Sequence, residues 1–242
     1  MTPNDFLKLV AWDVLNPALL RLKRGRRYDL PAGTVGINLG CGIDSPEGWL
    51  GVDGGVTHAF VHAAPDAVAR RLFKRFRMSK GYSYDDYAAK VKGMDIVHHD
   101  LLAGIPFADG SVPHVFTSHF IEHLFRPQAV EVFREARRVL RPGGVLRVTV
   151  PALEHKAERL RAALAEFDDG DPTALQPFVT SDRVGYYSPF STHRWMYDFG
   201  EMERALQEAG FERVEERQRG EGEIPDVERL DTRRGLFVEA TA

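Results

Sequence analysis

Hydrophobic positions along the chain alternate between short continuous runs and stretches at helical spacing. The short runs, rich in β-branched residues, predict five strands over residues 34–39, 49–52, 95–98, 114–118 and 145–150. Before the last of these, Pro127 suits the first turn of a helix, and apolar residues recur on one face as far as Leu140. Strands separated by helices and Gly/Pro turns indicate an α/β fold, with a mostly parallel sheet and helices on both faces.

The C-terminal part of the chain predicts a helix capped by Asp198, followed by two strands over residues 211–216 and 236–240. Because no helix is expected between these strands, they would pair antiparallel at the edge of the sheet. The whole pattern predicts seven strands, with an antiparallel C-terminal edge strand. Ligands of such sheets bind at the carboxyl ends of the parallel strands.

Three segments lie outside this alternation. Residues 1–30 predict an N-terminal helical extension that packs on the core or makes weak peripheral contact with an anionic membrane surface. Within the main domain, 31–242, residues 56–93 predict a helical insertion with an apolar face and a cationic face. Residues 168–197 form a long, aromatic-rich connection, which predicts either a substrate lid or a small satellite core.

Composition excludes several classes of protein. Apolar residues make up 43% of the chain, enough for a sizeable core, and the net charge of −3 gives no reason to expect a nucleic-acid partner. A single cysteine, Cys41, excludes an intrachain disulfide and a multi-cysteine metal site. No apolar run has the length of a membrane span, and no secretory signal pattern is present. These features predict a soluble, cytoplasmic protein, and they leave its oligomeric state open.

The strongest chemical signal follows the first predicted strand, where Asn38 and Leu39 lead into the triplet Gly40-Cys41-Gly42. Glycines allow the backbone to turn tightly beside a ligand. Asp53 ends the next predicted strand, where its carboxylate can accept hydrogen bonds from ribose hydroxyls. Too few residues separate Gly42 from this strand for a full crossover helix, so a loop is expected there.

These residues, with three further segments, resemble the class I S-adenosylmethionine-dependent methyltransferases over roughly residues 34–151. The further segments are 99–107, which contains Asp100, 115–119 at the end of the fourth strand, and 140–144, a Leu-Arg-Pro-Gly-Gly turn. The resemblance implies a Rossmann-like fold and S-adenosylmethionine as cofactor, with S-adenosylhomocysteine as product. It implies cofactor contacts from Asn38, Gly40, Cys41, Gly42, Asp53, Asp100, Leu101 and Ser118, in which Asp53 binds ribose and Asp100 the adenine amino group. At the start of the fourth strand, Pro113-His114 departs from the acidic residue usual in the family.

Within the superfamily, residues 48–53, 118–124, 193–198 and 236–240 resemble a subgroup associated with cell-surface polysaccharide synthesis. The resemblance implies methylation of an oxygen on a saccharide or another small-molecule acceptor. A hydroxyl acceptor benefits from a positioned base, and the candidates are His119 and His193. Tyr186, Arg194 and Trp195 are the candidate substrate-binding residues, and Arg194 suits an anionic group.

Two other functions remain open. The segment from His119 through Glu122 to His123 reads H-x-x-E-H, in which two histidines on a helix would bind zinc and the glutamate would activate water for hydrolysis. The simpler interpretation of Glu122 and His123 is that they orient the loop by hydrogen bonds. Alternatively, the chain binds the cofactor without catalysing a reaction. Nothing in the methyltransferase pattern itself requires a metal.

Overall fold

A computed structural model describes residues 16–55, 64–76, 81–169 and 193–242. Its centre is a seven-stranded sheet in the order β3-β2-β1-β4-β5-β7-β6. The strands are β1 (Gly36–Leu39), β2 (Trp49–Asp53), β3 (Ile96–His98), β4 (Val112–Ser118), β5 (Leu140–Val150), β6 (Arg213–Arg217) and β7 (Leu236–Thr241). The ladders among the first five strands are parallel, and β7 is antiparallel to both of its neighbours. The predicted α/β architecture is confirmed. The antiparallel β7 lies between β5 and β6, so β6 is the strand at this edge of the sheet.

Seven α-helices belong to the described residues, namely α1 (Asn16–Lys23), α2 (Asp66–Phe76), α3 (Tyr84–Lys92), α4 (Arg126–Val139), α5 (Leu153–Asp168), α6 (Phe199–Glu208) and α7 (Val227–Leu230). Short 3₁₀ turns span Leu101–Ala103 and Ile121–His123. The Asp198 carboxylate caps α6 by accepting a hydrogen bond of 2.7 Å from the Glu201 backbone N–H. As expected from the short spacing, the connection between β1 and β2 is a loop.

Both faces of the sheet are covered. Successive side chains of β4 point to opposite faces of the sheet. Val115 belongs to the main apolar cluster on one face, and Phe116 belongs to a second cluster, with Trp49, on the other. The main cluster packs α4 and α6 against the sheet, and the second includes Leu230 of α7. This alternation follows from the two-residue period of a strand.

The insertion predicted at residues 56–93 contains α2 and α3, which share an apolar cluster apart from the main core. The Phe73 ring meets the Tyr84 ring edge-on, with centroids 5.5 Å apart. Ser83 caps α3 by accepting a hydrogen bond of 3.1 Å from the Asp86 backbone N–H. Ile43, in the loop after β1, packs against this cluster, and Lys90 Nζ donates to Asp44 Oδ1 at 2.7 Å, so the helix pair lies beside that loop.

The departure at Pro113-His114 coincides with an irregular ladder. The register between β4 and β5 shifts between Val112 and His114. Proline has no backbone N–H to donate, so a bulge at this position avoids a missing ladder bond. The shift lies at the start of β4, and the regular pairing resumes before the strand reaches its carboxyl end.

Candidate active site

The loop after β1 depends on two glycines in the left-handed backbone region. Gly40 has φ +65° and Gly42 has φ +55°, which only glycine adopts at little cost. A Cβ atom on Gly40 would come within 2.4 Å of Phe120 Cγ, whereas one on Gly42 would meet nothing within 4 Å. Gly40 therefore permits close packing against the chain after β4, and Gly42 leaves space for a ligand beside the loop.

Asp53, at the carboxyl end of β2, is tied to this loop. Its Oδ2 accepts a hydrogen bond of 3.0 Å from the Gly42 backbone N–H, and its Oδ1 accepts one of 2.6 Å from that of Gly55. A carboxylate oxygen can accept more than one hydrogen bond, so a ligand can share this side chain with the loop. The pairing predicted from the sequence, of a glycine loop with an acid one strand away, is thus a direct contact.

Asp100 lies at the same edge of the sheet. It follows β3 two residues after His98, the residue that pairs with Asp53 in the ladder. Its Oδ1 accepts a hydrogen bond of 3.0 Å from the Leu102 backbone N–H, and its Oδ2 is 3.6 Å from Arg24 Nη2. The carboxylate therefore has a fixed direction beside Asp53, while the adjacent Leu101 is buried.

Helix α1 lies across the ends of β2 and β3, an arrangement that no sequence pattern indicated. Asn16 Nδ2 donates to the Gly54 carbonyl oxygen at 2.9 Å, and Asn16 Oδ1 is 3.1 Å from His98 Nε2. Lys23 Nζ is 3.0 Å from His98 Nδ1, and burial lowers the pKa of this lysine. The helix thus borders the candidate nucleoside end of the site.

Two of the predicted cofactor residues support the loop with their side chains. Asn38 is buried and its Nδ2 donates to the Asp44 carbonyl oxygen at 2.9 Å. The Cys41 thiol is buried against Gly51, and burial raises its pKa well above the usual value. A protonated, enclosed thiol is a poor nucleophile. Ser118, the last residue of β4, is half-buried.

His119 follows β4 in a strained conformation. Its φ is +52°, uncommon for a residue other than glycine, and its backbone N–H donates to the Thr149 carbonyl oxygen at 2.9 Å. Its Nδ1 lies 3.3 Å from Glu122 Oε1. Its Nε2 is buried, with no hydrogen-bond partner among the described residues. Strain of this kind persists where the surrounding structure fixes it, and it concentrates at functional sites.

Glu122 lies at the centre of a polar cluster that it forms with His119, His123 and His193. Only 1% of its side chain is exposed, and neither carboxylate oxygen has a hydrogen-bond partner in the part of the chain that is described. His193 Nε2 lies 4.0 Å from Oε1, and the His193 ring meets the His123 ring edge-on at 5.1 Å between centroids. Burial lowers the pKa of His193, although the nearby Glu122 carboxylate opposes part of that shift. The imidazole of His193 is therefore neutral at neutral pH.

The segment after His193 binds the same turn through its backbone. The backbone N–H groups of Arg194 and Trp195 donate to the Glu122 carbonyl oxygen at 2.7 and 3.3 Å. The Arg194 guanidinium lies 4.6 Å above the centre of the Phe125 ring, and Trp195 Nε1 donates to Glu201. Both aromatic rings are substantially exposed. The predicted substrate residues Arg194 and Trp195 thus border the Glu122 cluster, and Tyr186 lies outside the described residues.

The zinc-peptidase interpretation of residues 119–123 is wrong in its structural premise. That motif needs both histidines on one face of an α-helix, but only Ile121–His123 are helical, in a single 3₁₀ turn. His119 precedes the turn with a left-handed backbone. His119 does lie beside Glu122, but the histidine that could share one ion with Glu122 and His123 is His193, from a distant part of the chain.

Sequence comparison agrees with this geometry. Residues 38–148, which run from the end of β1 almost to the end of β5, match the family described as "Methyltransferase domain". This segment contains the glycine loop, both carboxylates and His119. It forms a methyltransferase domain.

Two curated relatives of the methyltransferase domain are similar over part of their length. Methyltransferase GfsG of Streptomyces halstedii is 27% identical over 142 residues, which are 58% of this chain and 46% of GfsG. A Mycolicibacterium smegmatis protein named "Probable S-adenosylmethionine-dependent methyltransferase" is 31% identical over 150 residues, 60% of this chain and 45% of the relative. The chain spans about half the length of these relatives.

Solved methyltransferase structures show only a distant likeness. A Thermotoga maritima methyltransferase aligns with 98% of this chain and 94% of its own, at 14% identity and a TM-score of 0.44. An Archaeoglobus fulgidus methyltransferase aligns with 98% and 99%, at 14% identity and a TM-score of 0.41. The family therefore rests on the sequence matches and on the observed sheet.

The residues of the methyltransferase domain fit S-adenosylmethionine, the cofactor of the superfamily. The space beside Gly42 admits a ligand close to the backbone, and Asp53 and Asp100 hold acceptor oxygens at neighbouring strand ends. No sequence pattern indicates that α1 contacts the ends of β2 and β3, and for Glu122 the sequence suggests only a zinc motif or hydrogen bonds that orient its loop. Only the buried, unpaired state of that carboxylate marks its importance, and burial is not visible in the sequence.

Proposed function

We propose that the chain methylates a hydroxyl group of a saccharide or another small-molecule acceptor. Gly40, Gly42, Asp53 and Asp100 would hold S-adenosylmethionine at the carboxyl ends of β1, β2 and β3. When bound, the cofactor supplies a methyl group on a sulfonium, and its transfer forms the oxygen–carbon bond while the carbon–sulfur electron pair stays on sulfur.

The observation that supports this reaction most is the pair formed by His119 and Glu122. Nδ1 of His119 faces the buried carboxylate at 3.3 Å, which leaves Nε2 without a partner among the described residues. A carboxylate beside one imidazole nitrogen favours the tautomer in which the other nitrogen accepts a proton. In the proposed reaction, Nε2 takes the proton of the acceptor hydroxyl, and Glu122 stabilises the imidazolium that forms.

A hydroxyl acceptor needs this help because an alcohol is a weak nucleophile at neutral pH. Phe120 links the base to the cofactor loop, since it packs directly against Gly40. The exposed Trp195 ring offers a flat apolar surface to a sugar, and the Arg194 guanidinium offers donors to an anionic group. These two side chains support a sugar or an anionic sugar derivative as the acceptor.

The test is transfer of isotope-labelled methyl from S-adenosylmethionine to a panel of free sugars and nucleotide-linked hexoses and hexuronic acids. We expect base-stable label in one acceptor class, as for a methyl ether. Label in an amine would contradict O-methylation. Binding of S-adenosylhomocysteine without transfer to any member of the panel would favour the non-catalytic alternative.

A further inference from the structure

The Glu122 cluster has the chemistry of a metal site as well as that of a base. One ligand atom each from Glu122, His123 and His193 lies within 4.8 Å of the other two. Atoms that bind one ion at about 2.1 Å in a tetrahedron are about 3.4 Å apart, so a modest contraction of the cluster would suffice. Two imidazoles and one carboxylate form a common ligand set for divalent transition metals.

The burial of Glu122 is an independent observation in favour of a ligand. A carboxylate with 1% of its surface exposed and no hydrogen-bond donor among the described residues is energetically costly. Among the described residues, the basic groups within 4.0 Å of the carboxylate are imidazoles, with His119 Nδ1 at 3.3 Å and His193 Nε2 at 4.0 Å. A cation between the carboxylate and the histidines would remove that cost.

The elements around the cluster would hold its ligands in place. Glu122 and His123 share the 3₁₀ turn that follows β4, and His193 comes from the segment that precedes α6. The Glu122 carbonyl oxygen accepts hydrogen bonds from the backbone N–H groups of Arg194 and Trp195. These bonds join the two ligand-bearing segments without using any ligand side chain.

We infer that Glu122, His123 and His193 bind one divalent transition-metal ion of the Zn²⁺ type, with an open position for an acceptor oxygen. Three protein ligands leave at least one coordination position free, as in catalytic zinc sites. His119, beside Glu122, lies outside the ligand set and remains available as the base. The acceptor's part in this site rests on the proposed function, whereas metal binding itself does not.

The test uses the full chain, stripped with a chelator and titrated with Co²⁺ and Zn²⁺ by calorimetry and by the visible absorption of Co²⁺. We expect one ion per chain and a loss of affinity of about tenfold or more in E122Q, H123Q and H193Q. The controls are E154Q and H155Q, which alter an exposed glutamate and an exposed histidine at the start of α5. Excess Mg²⁺, which prefers oxygen ligands, should not displace Co²⁺.

Two results would overturn the metal site. One is the absence of Co²⁺ binding to stripped, folded protein, and the other is equal affinity in the ligand variants and the controls. Circular dichroism of each variant separates a lost ligand from a lost fold. One Co²⁺ per chain without methyl transfer would leave the metal site standing and overturn the proposed function, while transfer without metal binding would do the reverse.

Discussion

Phe120 packs so closely against Gly40 that no side chain larger than hydrogen fits between the loops after β4 and β1. A Cβ on Gly40 would come within 2.4 Å of Phe120 Cγ. The contact joins the candidate cofactor loop to the candidate base, because Phe120 immediately follows His119. A single glycine therefore couples the two halves of the site.

The variant Gly40→Ala should lose most of its affinity for S-adenosylhomocysteine, because the loop must move away from Phe120. Gly143→Ala is the matched control, since Gly143 also has positive φ, +75°, but its Cβ would meet nothing within 4 Å. Both changes carry backbone strain of about 1–2 kcal/mol. Calorimetric titration with S-adenosylhomocysteine should show weaker binding to Gly40→Ala than to Gly143→Ala. Equal affinities in the two variants would contradict the role of the contact.

Asp53→Asn should weaken binding of S-adenosylhomocysteine by at least about tenfold, because a charged hydrogen-bond acceptor contributes about 1.5–3 kcal/mol. Asp95→Asn, at an exposed carboxylate just before β3, should leave the dissociation constant unchanged. The measurement is again calorimetric. An unaltered constant in folded Asp53→Asn protein would rule out the ribose role.

His119→Gln should lower the turnover number about 10²–10⁴-fold, the usual contribution of a general base. Its affinity for S-adenosylhomocysteine should stay the same, because the imidazole is assigned to the acceptor side. His155→Gln provides the control at an exposed histidine. The measurement is the rate of methyl transfer to the acceptor identified in the panel. Undiminished turnover in His119→Gln would show that His119 is not the base.

Arg147→Met should destabilise the fold by about 3–5 kcal/mol, because it leaves the buried carboxylates of Asp231 and Glu239 without their positively charged partner. The guanidinium is fully buried, with Nε 3.0 Å from Asp231 Oδ1 and Nη1 3.1 Å from Glu239 Oε1. Arg134→Met, which breaks an exposed pair with Glu131, should change stability by less than about 1 kcal/mol. Urea unfolding of both variants measures the difference. Similar losses would mean that the buried network adds nothing.

Acidification from pH 7 to about pH 5 should lower the free energy of unfolding. Burial lowers the pKa of His99 and of His114, so below about pH 6.5 the unfolded chain takes up protons that the native state does not. Carboxylates with lowered pKa, such as Glu135, destabilise the fold only at more acidic pH. Replacing both histidines by glutamine should reduce the dependence in denaturant titrations, whereas His155→Gln should not. Part of the slope should remain, because burial also lowers the pKa of His193. An unchanged slope in the double variant would refute this assignment.

Sequence pattern was sufficient wherever the determining contacts are local. The period of apolar residues indicated the parallel strands, and the cap at Asp198 and the proline after Arg126 marked two helix starts. The triplet Gly40-Cys41-Gly42 and the acid at the end of the next strand indicated a nucleotide-type loop, because parallel strands bring their carboxyl ends to one edge. The short spacing after Gly42 also predicted that a loop, and not a helix, connects β1 to β2.

Tertiary structure decided what depends on contacts between distant parts of the chain. Pairing places β7 between β5 and β6, a choice that strand spacing does not fix. Asn16 reaches Gly54 and His98 only because α1 folds back over the sheet. Similarly, His193 joins Glu122 and His123 across a long separation in sequence.

The sequence alone therefore determined the fold class and predicted the candidate cofactor loop and Asp53, since these follow from local periodicity and from the geometry common to parallel sheets. The expected role of Asp100 came from the family resemblance. Only the folded chain decided how His119, Glu122 and His193 relate to one another. Glu122 and His119 stand out because Glu122 is buried, and because its carboxylate oxygens and His119 Nε2 have no hydrogen-bond partner among the described residues. Both properties are created by packing, which no local pattern records.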